Sequence, residues 1–181
     1  MKFVELITEG KNYPTLYHFT DFQTAWVILT DMQLEAGGEG AIYIGGAPIP
    51  YERNYVSLTR NARLNWGDTR IAIDGAKLSN KYKIQPYADV RTGVTKHTGQ
   101  WEERIVAKKV NIKGTVLQVD IAEGFIKKHD PFQYEDLYRV SNCWDEVLST
   151  KDCFIKAMKK KGIKRVNFLP IEDFSKSRPV K

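Results

Sequence analysis

Hydrophobic and polar positions along the chain change period several times, and each change marks an element. Thr15-Leu16-Tyr17-His18-Phe19 predicts a strand. From Asp21 to Met32 the period lengthens: Phe22, Ala25, Trp26 and Leu29 recur at i, i+3, i+4 and i+7, which gives a helix with one apolar face and places Trp26 in the core. Thr20 and Gln23 have the spacing of a capping box at its start, and Gly37-Gly38 closes the region. The texture then shortens. Ala41-Ile42-Tyr43-Ile44 and Asn54-Tyr55-Val56-Ser57-Leu58 read as strands separated by a Gly/Pro-rich loop. Arg70-Ile71-Ala72-Ile73 is another strand, ended by Asp74-Gly75, and Lys83-Ile84-Gln85 a further short one. Residues 88–99 read as an exposed loop, followed by Arg104-Ile105-Val106-Ala107 and a clear strand over Thr115–Ile121. Lys151–Lys161 is helical, with Phe154, Ile155 and Met158 on one face and Gly162 as its stop; Arg165–Leu169 is a last strand before Pro170. Strand, helix, many short strands, helix, strand is an α+β order, not a regular βαβ alternation.

A length of 181 residues fits one domain with a substantial core, placed here at 1–174, with 175–181 as a basic tail and 1–13 as an entry segment. With 42% hydrophobic and 28% charged residues, the composition is that of a globular protein. The apolar runs are too short to span a bilayer, and acids interrupt the N-terminal apolar stretch, so neither a membrane helix nor a signal peptide is expected and the chain is read as cytoplasmic. Cys143 and Cys153 form no C-x-x-C pair, and His18, His97 and His129 are the only histidines, so no metal site is expected. The net charge of +6 points to an anionic partner such as nucleic acid, a dinucleotide or an acidic protein surface, or else to a surface kept soluble by charge.

Three short constellations carry candidate chemistry. In Tyr17-His18-Phe19-Thr20, an imidazole and a hydroxyl stand where a strand gives way to a helix N-terminus, a position that suits anionic or ribose-bearing ligands. The plain alternative is an ordinary N-cap with an incidental His. Ser57-Leu58-Thr59-Arg60 puts two hydroxyls on one strand face, with Arg60 next in line and Arg53, Arg63 and Arg70 nearby, a set able to grip a diphosphate. An edge strand facing water is the competing reading. In Gln100-Trp101-Glu102-Glu103-Arg104, Gln100 and Glu102 share a face if extended, and a carboxylate there would stabilise a developing sugar cation. Glu103 then faces the other way, toward Arg104 or a neighbouring arginine, although such charge runs are commonly just solvated.

In this order the three motifs resemble the ADP-ribosyltransferase superfamily, above all its small DarT-like and phage-encoded members, over about residues 15–122. The resemblance implies split mixed β-sheets flanked by a few helices, with NAD as co-substrate. It also implies transfer of ADP-ribose to a host or phage macromolecule, nucleic acid or protein, in a host cytoplasm or a virion-associated setting. His18, Thr20, Ser57, Thr59, Arg60 and Gln100 would then bind the dinucleotide. Glu102 and Glu103 would be the catalytic acids, with Glu102 holding the ribose and stabilising the cation. Two positions depart from the family pattern: Tyr43, Tyr51 and Tyr55 all compete for its middle tyrosine, and Ser57-Leu58-Thr59 stands where a Ser-Thr-Ser triplet is usual.

The strongest basic run, Lys159-Lys160-Lys161-Gly162-Ile163-Lys164-Arg165, reads as cations at a helix C-terminus or as a nucleic-acid contact. Tryptophans such as Trp66, Trp101 and Trp144 can stack on bases but more often sit in a core; Trp66 and Trp101, beside the candidate motifs, are the better stacking candidates. A non-enzymatic nucleic-acid-binding or virion-associated protein is therefore the rival of the enzyme, and a small inhibitor of a host protein a third reading. The enzyme requires His18, Ser57 and Glu102 to converge on one hollow. The binding module requires Lys159, Lys160, Lys164 and Arg165 to join other cations in one stripe.

Overall fold

A computed structural model describes residues 14–37, 39–44, 47–52, 55–64, 66–86, 102–129 and 150–175. Gln100, His97, Trp101, Cys143, Trp144, the 88–99 loop, the 1–13 entry segment and the tail beyond 175 lie outside them.

The described residues form an α+β fold around a seven-stranded, mostly antiparallel sheet. Its strands are β1 (Leu16–Thr20), β5 (Val56–Thr59), β6 (Thr69–Ile73), β7 (Ile84–Pro86), β8 (Glu102–Ile105), β10 (Val116–Ala122) and β11 (Val166–Leu169), in the order β11-β10-β6-β1-β5-β8-β7. Only β10 and β11 run parallel among the registered pairs of this sheet. Two-stranded sheets join β2 (Gln33–Glu35) to β9 (Lys109–Asn111) and β3 (Glu39–Ile44) to β4 (Ala47–Glu52). The helices are α1 (Phe22–Asp31), α2 (Gly75–Ser79), α3 (Glu123–His129) and α4 (Thr150–Lys160). No described helix is long and apolar enough to cross a membrane.

Alternation along the central strands sorts the sheet into two faces. Leu16, Leu58, Ile71, Ile73, Val119 and Ile121 point into the main core, where Phe22, Ala25, Ile28 and Leu29 of α1 and Phe154 and Met158 of α4 cover them. Phe154 ties these layers together, with its ring 5.3 Å from Phe22, 5.5 Å from Trp26 and 5.9 Å from Phe168. Trp26 is therefore packed against the core rather than sunk in it. The other face carries a smaller cluster of Tyr17, Ala62 and Ala72, with Phe19 and Leu117 at its margin.

That second face also holds a charge. Arg70 is 1% exposed and directs Nε and Nη2 to Oδ2 of Asp120, at 3.1 and 2.7 Å. The Asp120 Oδ1 accepts from Gln118 and Asn167, each at 2.7 Å, and the Arg70 guanidinium lies over the rings of Tyr17 and Phe174. Arg70, expected from the sequence among the guanidiniums near a diphosphate, is thus spent inside the fold instead.

Element ends show where local chemistry departs from the simple reading. The cap of α1 is Asp21, not Thr20: its carboxylate accepts the Thr24 N–H at 2.8 Å and the Thr24 hydroxyl at 2.7 Å, and Thr20 stays in β1. Asp74 does more than end β6, since its side chain caps α2 by accepting from the Lys77 N–H at 3.0 Å. The Gly/Pro-rich stretch read as a loop contains β4, paired to β3 from Ala47 to Glu52. Prolines are tolerated there because a two-stranded ribbon leaves one side of each strand without a ladder partner. The stop at Gly162 is as expected: at φ +83 it lets Ile163 N–H return to the Met158 carbonyl and its own N–H to Lys159, a Schellman closure.

Candidate functional site

The three segments singled out in the sequence become neighbouring strands. β1 carries His18 and Thr20, β5 carries Ser57 and Thr59 and leads into Arg60, and β8 carries Glu102 and Glu103; in the sheet they stand side by side as β1-β5-β8. Tyr17 pairs with Thr59, Thr59 with Glu102, Leu58 with Glu103 and Ser57 with Arg104.

β1 and β5 meet only briefly. β1 is registered to β6 along all of Leu16–Thr20, but to β5 only at Tyr17↔Thr59 among the described residues. At this junction, the β1/β5 seam, the His18 side chain reaches across from β1, with Nδ1 3.2 Å from the Ser57 carbonyl oxygen. A carbonyl only accepts, so Nδ1 carries the proton and a neutral ring leaves Nε2 as an acceptor. Burial holds the His18 pKa below its ordinary 6.5, against the opposing pull of the Ser57 carbonyl. The neutral form is therefore the resting one near pH 7.

The linkage has a definite sign. The unfolded chain takes up this proton at about 6.5 and the folded chain only at lower pH. The contribution of His18 to stability is thus complete above about 6.5 and is lost as pH falls below it, toward the folded value. Proton NMR titration should place the His18 midpoint below 6.5, and His18→Asn should flatten the loss of stability on acidification in that window; a midpoint at or above 6.5 contradicts this placement.

Side-chain alternation divides the candidates. Tyr17 and Thr59 share one face, so His18, Leu58 and Glu103 belong to the other, together with Thr20 two residues after His18. Position 102, opposite Thr59, and Ser57 fall on the Tyr17 face; the Glu102 side chain lies outside the described set. The segments meet, but His18, Ser57 and position 102 do not share a face. The acid on the imidazole's side is Glu103, two strand spacings or roughly 10 Å from β1.

Glu103 is 3% exposed and its Oε1 lies 2.6 Å from Nε of Arg60. The sequence points this acid toward an arginine and Arg60 toward a diphosphate; in the fold the two are partners. Arg60 remains over a third exposed, so its outer edge faces solvent while Nε serves the acid. Thr59 is buried and its Oγ1 accepts the Asn61 N–H at 3.0 Å, which turns that hydroxyl toward its own chain. Ser57 is half-buried. Thr20 closes β1 against a tight neighbour: a Cβ on Gly67, at φ +145, would stand 2.4 Å from the Thr20 carbonyl oxygen, so only glycine lets the exposed Trp66 loop approach.

Comparison with protein-family models, with curated proteins and with solved structures finds no match for this chain.

Proposed function

We propose that the chain is an NAD-dependent ADP-ribosyltransferase whose site lies along the β1/β5 seam, with Glu103 as its catalytic acid. The observation that carries this reading is the pairing of β8 with β5, which sets the buried Glu103, and not position 102, on the face of His18 and Thr20. Nε2 of His18 accepts from a ribose hydroxyl at the seam. The exposed edge of Arg60 meets the diphosphate while its Nε holds Glu103 in place. The C1′–N bond to nicotinamide breaks with its electron pair leaving on the ring nitrogen. The positive charge left on the sugar is stabilised by the Glu103 carboxylate, which a low-dielectric setting makes effective. An acceptor oxygen or nitrogen then bonds to C1′ and releases its proton.

Binding tests the site before any chemistry. Calorimetric titration of the full chain with NAD⁺ should give saturable heat, and His18→Ala should weaken the affinity by several-fold to about tenfold, the worth of one hydrogen bond. No heat at millimolar NAD⁺, or unchanged affinity in His18→Ala with the fold intact, removes the reading.

A further inference from the structure

An open cleft of about 410 Å³ lies where the end of α1, α2, the start of β10 and the turn from α4 to β11 meet. Its charged lining residues are Lys77, Lys161, Lys164 and Arg165, and no carboxylate is among the described residues that line it. None of these elements carries His18, Ser57 or Glu103, so a ligand held in this cleft is independent of the NAD reading.

Helix electrostatics explains only part of this charge. Lys159 and Lys160 sit in the last turn of α4, where cations complement the helix dipole. Lys164 and Arg165 lie beyond the Gly162 turn, and Lys77 comes from α2, a separate element. The fold anchors several of these positions. The Arg165 carbonyl accepts the Val119 N–H at 3.0 Å, which pins that wall to β10, and Lys161 Nζ donates to the Thr30 carbonyl at 2.7 Å. Lys77 Nζ stands 3.6 Å from Asp74, but the lysine side chain is 61% exposed, so its ammonium can also turn toward an arriving anion. Lys113 and Lys160, each next in sequence to a lining residue, are exposed as well, and the positive charge exceeds what one phosphate group would use.

We infer that this cleft binds consecutive phosphates of a single-stranded nucleic acid. A volume of about 410 Å³ has room for a short stretch of one strand's backbone and not for a duplex. Recognition is electrostatic: the lysines act as point charges and Arg165 can engage a phosphate bidentately.

The test is fluorescence anisotropy of a labelled twelve-nucleotide oligothymidylate with the full chain. About three phosphates held by the cleft give a slope of about −2 for log affinity against log salt, or a loss of roughly tenfold to twentyfold between 50 and 200 mM. The double variant K164E/R165E should bind at least tenfold more weakly with unchanged thermal unfolding. K77E, on α2, should weaken binding several-fold and serves if the double variant does not fold. Intact-like affinity in both variants overturns the inference. So does a preference for duplex of equal length, or inorganic phosphate competing as well as unlabelled strand at equal phosphate concentration.

Discussion

Asp120→Ala should lower the folding free energy by about 3–5 kcal/mol, the largest single loss of stability expected in this fold. The reason lies in what remains behind. Arg70 is 1% exposed, and its Nε and one Nη are directed at a single Asp120 oxygen. Without that carboxylate, a guanidinium held over the Tyr17 and Phe174 rings keeps its charge with no counter-charge from Asp120, and Gln118 and Asn167 lose their shared acceptor. A domain of ordinary stability has only about 5–15 kcal/mol in total, so the variant sits close to unfolding. Replacing both members by apolar residues, Arg70→Met with Asp120→Leu, should restore most of the loss, because the cost is that of an uncompensated buried charge rather than of a missing attraction. Urea denaturation of the two variants checks this. A loss under about 1 kcal/mol in Asp120→Ala would mean that Arg70 finds another counter-charge or reaches water.

Glu103→Gln should reduce release of nicotinamide from NAD⁺ by about 10² to 10³, with NAD⁺ affinity changed little. Glutamine keeps the shape and can still accept from Arg60, but it cannot offset positive charge on the sugar. Because the loss belongs to the transition state, it should appear in kcat rather than KM. The effect on stability should be small, at most about 1 kcal/mol, because Arg60 is over a third exposed and recovers its hydration. A large fall in stability with an unchanged rate would assign Glu103 to the fold alone.

Periodic segments were legible in the sequence, and segments held by tertiary pairing were not. The strand at 15–19, the helices at 21–32 and 151–161 and the strand at 115–121 have apolar spacing that matches the observed burial, and Gly162 stops its helix through a left-handed conformation. β2, β4 and β9 carry little pattern of their own and exist through their partners. The capping error has a similar origin: Thr20 and Asp21 are both good N-caps, and the β1–β6 pairing, which runs through Thr20↔Thr69, leaves the role to Asp21. For the site, sequence order brought three short motifs to notice, and the sheet makes their strands adjacent. Which acid shares a face with His18 depends on register across β5, which no single segment records. The Arg70–Asp120 pair did leave a trace, one opposite charge in each of two strongly apolar strands, Thr69–Ile73 and Val116–Ala122. Lys77 left none, because its place beside Lys164 and Arg165 comes from folding alone.

The placement of the acid is tested most directly by NAD⁺ labelled in its adenylate half, incubated with cell extract and the full chain, Glu103→Gln or Glu102→Gln. Labelled macromolecular product from the full chain, retained within a few-fold in Glu102→Gln and lost in Glu103→Gln, is the predicted result. Product that vanishes in Glu102→Gln and persists in Glu103→Gln, or no NAD⁺ consumption by the full chain, would contradict it.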